Sequence, residues 1–94
     1  MELPPWPYFD SEDIEIVVNT LKSGKVSTWT GTQTKFFEKE FSEFLDVKHS
    51  IALANGTVAL TAAYMTLGIG AGDEVITTPR TFIATASTAL MFGA

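Results

Sequence analysis

Apolar residues recur at helical spacing through the first half of the chain and form short compact runs, broken by glycine, in the second half. Ile14, Val17, Val18 and Leu21 fall at i, i+3, i+4 and i+7, the single stripe of an amphipathic helix. Asp10 or Ser11 is placed to cap that helix, Glu12 and Asp13 suit the positive end of its dipole, and Gly24 is placed to stop it. A second helix is predicted from about Thr34. It carries Phe37, Phe41, Phe44 and Leu45 on one face and Lys35, Glu38, Lys39 and Glu43 on a solvated one. Residues 26–33 between them read as a polar loop with Trp29 at its middle. Ahead of the first helix, residues 1–9 hold three of the four prolines with Trp6, Tyr8 and Phe9. Proline fixes φ and pushes its predecessor towards extended geometry, so an extended arm lying against other surface is expected.

The second half alternates. Residues 50–54 read as a short buried strand, Asn55-Gly56-Thr57 breaks it, and 58–67 is a helix rich in alanine and leucine. Gly68, Gly70 and Gly72 make a loop, 74–78 a second strand, Pro79-Arg80 a break, and 82–92 a last helix. Strand–helix alternation predicts an α/β layer architecture. Two strands for four helices make a poor sheet, and the chain stops at Gly93-Ala94, where a third strand is expected to begin. The reading is a single incomplete domain: an arm over 1–9, two helices and a loop over 10–48, and the start of a layered α/β domain over 49–94.

Composition narrows the function classes. With 46% hydrophobic and 18% charged residues the chain is globular rather than disordered. A net charge of -5 without a Lys/Arg cluster argues against a nucleic-acid partner. There is no cysteine and only His49, so neither a thiolate nor a histidine-based metal site is expected. No apolar run approaches the roughly 20 residues that span a bilayer, and residues 1–7 lack the pattern of a secretory signal. A cytoplasmic protein without membrane attachment is the expectation.

Candidate chemistry lies where strands pass into helices. In Ile51-Ala-Leu-Ala-Asn-Gly-Thr-Val-Ala-Leu60 a helix starts at once after a strand, leaving free N–H groups and the positive dipole end at the strand's carboxyl edge. Gly56 lets the backbone approach an anion, and Thr57 can cap the helix and offer its hydroxyl. A plain tight turn with an N-cap accounts for the same three residues. The segment 77–85 repeats the strand-to-helix passage, with Phe82 at the start of the helix. There the ring is placed either to cover a planar ligand or to pack in the core, and Arg80 either to pair with an anion or to stand in solvent. If the two strands are parallel, both loops open at the same end. The glycines at 68, 70 and 72 follow a helix and precede a strand, the reverse of a dinucleotide fingerprint. Glu12, Asp13 and Glu15 are surface charges, and His49 reads as structural.

Taken in order, Ser23-Gly24, Trp29-Thr-Gly31, Phe37-Glu-Lys-Glu-Phe41, Ala52-Leu-Ala-Asn-Gly-Thr-Val-Ala-Leu60, Leu67-Gly-Ile-Gly-Ala-Gly-Asp-Glu-Val-Ile76 and Thr78-Pro-Arg-Thr-Phe-Ile-Ala-Thr85 resemble the start of the DegT/StrS group. These are fold-type-I aminotransferases that use pyridoxal 5'-phosphate and act on nucleotide-linked keto-sugars. The resemblance covers nearly the whole chain and implies the N-terminal part of a three-layer αβα large domain. It implies that Gly56 and Thr57 hold the cofactor phosphate and that Phe82 stacks on the pyridine ring. Trp29, Thr30 and Gly31 match a loop at the active-site mouth, often at a dimer interface, and so a substrate-binding position. It further implies a homodimer, an amino-acid donor such as glutamate, and a place in nucleotide-sugar and polysaccharide biosynthesis. The family's aspartate to the pyridine nitrogen and its Schiff-base lysine lie downstream of residue 94. None of Lys22, Lys25, Lys35, Lys39 or Lys48 has a matching context, so no catalytic residue is expected within this chain and no activity from it alone. Two other readings stand beside this one: a sugar dehydratase of the same family, in which histidine replaces the lysine, and a non-enzymatic α/β anion-binding module.

Overall fold

A computed structural model describes residues 5–94, so residues 1–4 of the predicted arm lie outside the described residues. Four helices follow in order: α1 (Ser11–Lys22), α2 (Gln33–Phe44), α3 (Gly56–Leu67) and α4 (Ala84–Met91). The chain divides into two compact units, Met1–Ile51 and Ala52–Ala94, each described by itself.

In the first unit, Asp10 rather than Ser11 caps α1. Its carboxylate accepts from the Glu12 and Asp13 N–H groups at 2.9 and 3.0 Å, and the Asp13 side chain accepts in return from the Asp10 N–H at 3.1 Å. This reciprocal box satisfies donors that the first turn leaves free. Gly24 takes a left-handed φ of 67° just past the helix end. α2 starts at Gln33, one residue before its predicted beginning, with no side-chain cap from Thr32. It ends with the Asp46 and Val47 N–H groups on the Glu43 and Ser42 carbonyls, a closure that sets Asp46 at φ 52°. Along the apolar face of α2, Phe37 and Phe41 stack with centroids 5.4 Å apart. Lys39 and Glu43 form an exposed pair at 3.8 Å, and Ser50 Oγ donates to the Glu38 carbonyl. Phe9 shares a hollow with Ile14, Val17 and Val18 of α1, whereas Trp6 stands 93% exposed.

The second unit is α3 packed on α4. α3 begins at Gly56, two residues before the predicted start, and Asn55 caps it, not Thr57. Gly68, at φ 71°, closes it with its own N–H on the Met65 carbonyl and that of Ile69 on the Tyr64 carbonyl. The helix-stop reading of Gly68 is thereby borne out. α4 starts at Ala84, which puts Phe82 just outside the helix instead of at its first position. Buried on α4 are Ala84, Ala89 and Thr88, and the Thr88 Oγ1 has no partner among the described residues.

The two predicted strands are corrected. Among the described residues no segment is assigned as strand; 50–53 and 73–78 have no regular structure. A strand, unlike a helix, takes its regular hydrogen bonds from a neighbouring strand, and none is assigned among the described residues. Ile76 stands 99% exposed and Ile51 78% exposed, positions that apolar strand residues hold only when nothing covers them.

Candidate functional site

The first turn of α3 is organised by Asn55. Its backbone is extended, its Oδ1 accepts from the Val58 N–H at 3.0 Å, and its carbonyl accepts from the Ala59 N–H at 3.0 Å. Gly56 and Thr57 lie ahead of the first intrahelical bonds, and among the described residues their N–H groups meet no acceptor. Both residues are exposed, and a Cβ built on Gly56 meets nothing within 4 Å. The Thr57 hydroxyl likewise has no partner among the described residues, while its carbonyl accepts from Thr61 Oγ1 at 2.9 Å. No acidic residue lies in this turn. Two unpaired N–H groups, a hydroxyl and the positive helix end thus face open space, which suits a small anion.

The second predicted feature belongs to the same unit. Thr78 Oγ1 accepts from the Arg80 N–H at 3.3 Å, and Thr81 and Thr85 join hydroxyls at 3.0 Å, pinning the approach to α4. Phe82 is 74% exposed; its carbonyl accepts from the Thr85 N–H while the ring stands clear of the core. Tyr64 meets Phe92 edge-on with centroids 6.3 Å apart. Each lies about two turns of helix past the first residue of its own element. That contact joins α3 and α4 towards their C-terminal ends. The buried Ala84 carries the packing to the first residue of α4.

Trp29, Thr30 and Gly31 belong to the other unit. Their loop is a tight turn: Thr30 and Gly31 donate to the Ser27 carbonyl at 3.2 and 2.7 Å, and the Ser27 and Thr30 hydroxyls are 3.0 Å apart. A Cβ on Gly31 would sit 3.0 Å from the Ser27 carbonyl oxygen and closer still to that of Lys25, so no side chain fits there. The turn projects Trp29 into solvent at 97% exposure. Beside it lies an open hollow of about 340 Å³, lined among others by Asn19, Ser23, Lys25, Gly31 and Thr32. Of these the sequence proposes a substrate-site role for Gly31 alone. The available signal was Asn19 and Ser23 one helical turn apart on the polar face of α1. Among the described residues no group of three or more His, Asp or Glu side chains is placed to hold a metal ion.

Residues 7–94 match the DegT/DnrJ/EryC1/StrS aminotransferase family. The chain belongs to that family. Within it, the chain is similar to the spore coat polysaccharide biosynthesis protein SpsC of Bacillus subtilis, 46% identical over 88 residues that make up 94% of this chain and 22% of that protein. GDP-perosamine synthase of Vibrio cholerae is 42% identical over 88 residues, 24% of its length. 3-Amino-5-hydroxybenzoate synthase of Amycolatopsis mediterranei is 36% identical over 93 residues, again 24% of its length. A solved structure, the aminotransferase from Psychrobacter cryohalolentis, matches 99% of this chain and 24% of its own with 48% identity and a TM-score of 0.91. The chain therefore spans about a quarter of the length of the family members it matches, and it follows the backbone course of the solved one.

Proposed function

We propose that this chain supplies the phosphate-holding edge of the cofactor site in an aminotransferase that moves an amino group from glutamate to a nucleotide-linked keto-sugar. The observation that carries the reading is the first turn of α3, where the Gly56 and Thr57 N–H groups and the Thr57 hydroxyl stand unpaired in an acid-free turn. Family membership gives the reaction class, and relatives named for polysaccharide and perosamine synthesis support the sugar substrate.

Pyridoxal 5'-phosphate, when bound, supplies a ring that withdraws electrons from the carbon bearing the amino group. The chain's own residues bind and orient. Gly56 and Thr57 donate to phosphate oxygens, the positive end of α3 favours their charge, and the Thr57 hydroxyl adds a further donor. The exposed Phe82 ring covers one face of the pyridine and keeps water from it. Trp29, Thr30 and Gly31 form a rigid turn for the substrate side of the site, in a homodimer working in the cytoplasm. No helix among the described residues is long and apolar enough to cross a membrane. All five lysines lie in the first unit and none in the unit that carries the phosphate turn. The family resemblance assigns the lysine of the chemical step to sequence beyond residue 94, since none of the five stands in the family's context for it.

The experiment is a cofactor titration and an amino-transfer assay on the protein as its gene encodes it. Saturable binding of pyridoxal 5'-phosphate and glutamate-dependent formation of an amino sugar are expected. Binding no tighter than that of phosphate-free pyridoxal would remove the phosphate turn. Sugar dehydration without use of an amino donor would replace transfer by the dehydratase reading.

A further inference from the structure

The α3 cap bears on how the turn treats charge. We infer that Asn55 is a positioning residue for phosphate recognition, a neutral cap that holds the α3 turn in place and adds donors instead of a charge to its open end. The inference rests on the reading of Gly56 and Thr57 as the cofactor-phosphate turn.

The argument begins with the two sides of one amide. Asn55 Oδ1 is committed to the Val58 N–H at 3.0 Å. Nδ2 therefore keeps both its hydrogens available, and it has no partner among the described residues. Asn55 is exposed and directly precedes the two unpaired N–H groups of Gly56 and Thr57. Capping alone does not require asparagine: aspartate and serine cap as well, and aspartate gains from the helix dipole. The same chain uses that stronger solution at α1, where Asp10 is the cap and Glu12 and Asp13 fill the first turn. At α3 the cap is neutral and the first turn holds no acid. An aspartate at 55 would preserve the Val58 bond but place a negative charge beside a phosphate, and like charges at contact distance repel strongly in a partly desolvated site.

The test compares Asn55→Asp, Asn55→Ser and Asn55→Ala in the protein as its gene encodes it. Affinities for pyridoxal 5'-phosphate and for phosphate-free pyridoxal are read by titration, and melting temperature is read without cofactor. N55D is expected to melt at or above the parent temperature, to lose about tenfold or more in pyridoxal 5'-phosphate affinity, and to bind pyridoxal unchanged. Its loss is expected to be larger at about pH 8 than at about pH 5, because a phosphate monoester gains its second charge near pH 6. N55S keeps a neutral cap and a hydroxyl donor and should stay within a few-fold of the parent. N55A should melt lower, because the cap is gone. Equal losses for both ligands, equal losses for N55D and N55S, or unchanged phosphate affinity in N55D would each overturn the inference. If the parent itself binds both ligands equally, the phosphate-turn reading has failed and the role of Asn55 falls with it.

Discussion

At position 57 a hydroxyl stands at an exposed helix start without a partner among the described residues. A hydrogen bond to a charged acceptor contributes about 1.5–3 kcal/mol. Thr57→Ala is therefore expected to weaken pyridoxal 5'-phosphate binding about ten- to a hundredfold, measured by titration. Unchanged affinity would take Thr57 out of the site. Phe82→Leu removes an aromatic face but leaves apolar cover, so it should loosen binding less while shifting the absorption of the bound cofactor. Residue types made these two positions legible, but not their neighbour. In Asn-Gly-Thr all three residues can stand at a helix start, and the sequence reading gave the capping role to Thr57. The choice fell to Asn55 because the helix begins at Gly56, so that Oδ1 reaches the N–H three residues on. Asp46 was missed for a related reason. Nothing in a run of ordinary residues announces a left-handed φ of 52°, although aspartate tolerates that region better than most.

Helices carry their hydrogen bonds within one segment, and this is why all four were readable from periodicity and composition to within two residues at their starts. Their stops were readable where glycine provides them, at Gly24 and Gly68. Strands are properties of pairs. The apolar runs at 50–54 and 74–78 have the composition of strands, and no strand is assigned among the described residues for a ladder to form on. At this scale the α1 cap gives a clean test. In the protein as its gene encodes it, Asp10→Ala removes the two contacts that the Asp10 carboxylate accepts and should cost about 1 kcal/mol, read as a lower denaturant midpoint at unchanged slope. Asp10→Asn should recover most of that loss. If the alanine variant is as stable as the parent, the reciprocal Asp10–Asp13 contacts contribute nothing.

For the whole molecule, burial decides. Among the described residues the buried apolar ones are Ala84 and Ala89, while Val17, Leu21, Phe37, Phe41 and Phe44 on the stripes of α1 and α2 remain between 42% and 82% exposed. So little apolar burial cannot offset an ordering entropy of about 1–2 kcal/mol per residue. Residues 1–94 made alone should therefore self-associate or stay partly disordered and hold the cofactor weakly. Hydrogen exchange should show weak protection over 50–54 and 74–78. Strong protection there in a monomer that binds pyridoxal 5'-phosphate at micromolar concentration would establish an autonomous domain.

Asn55 is followed by glycine, the neighbour least able to shield an amide from attack by the next backbone nitrogen. Cyclisation expels ammonia, and reopening by water leaves aspartate or isoaspartate in place of the asparagine. The bond from Val58 to Oδ1 restrains the side chain and opposes that closure while α3 stays wound. Ageing of the unwound peptide should therefore be fast and that of the folded protein slow. Mass spectrometry of stored samples, with and without denaturant, measures the difference, and equal rates would mean that the cap gives no protection. An aged population would carry an acid at the mouth of the phosphate turn, so loss of cofactor retention on storage should track the acidic form.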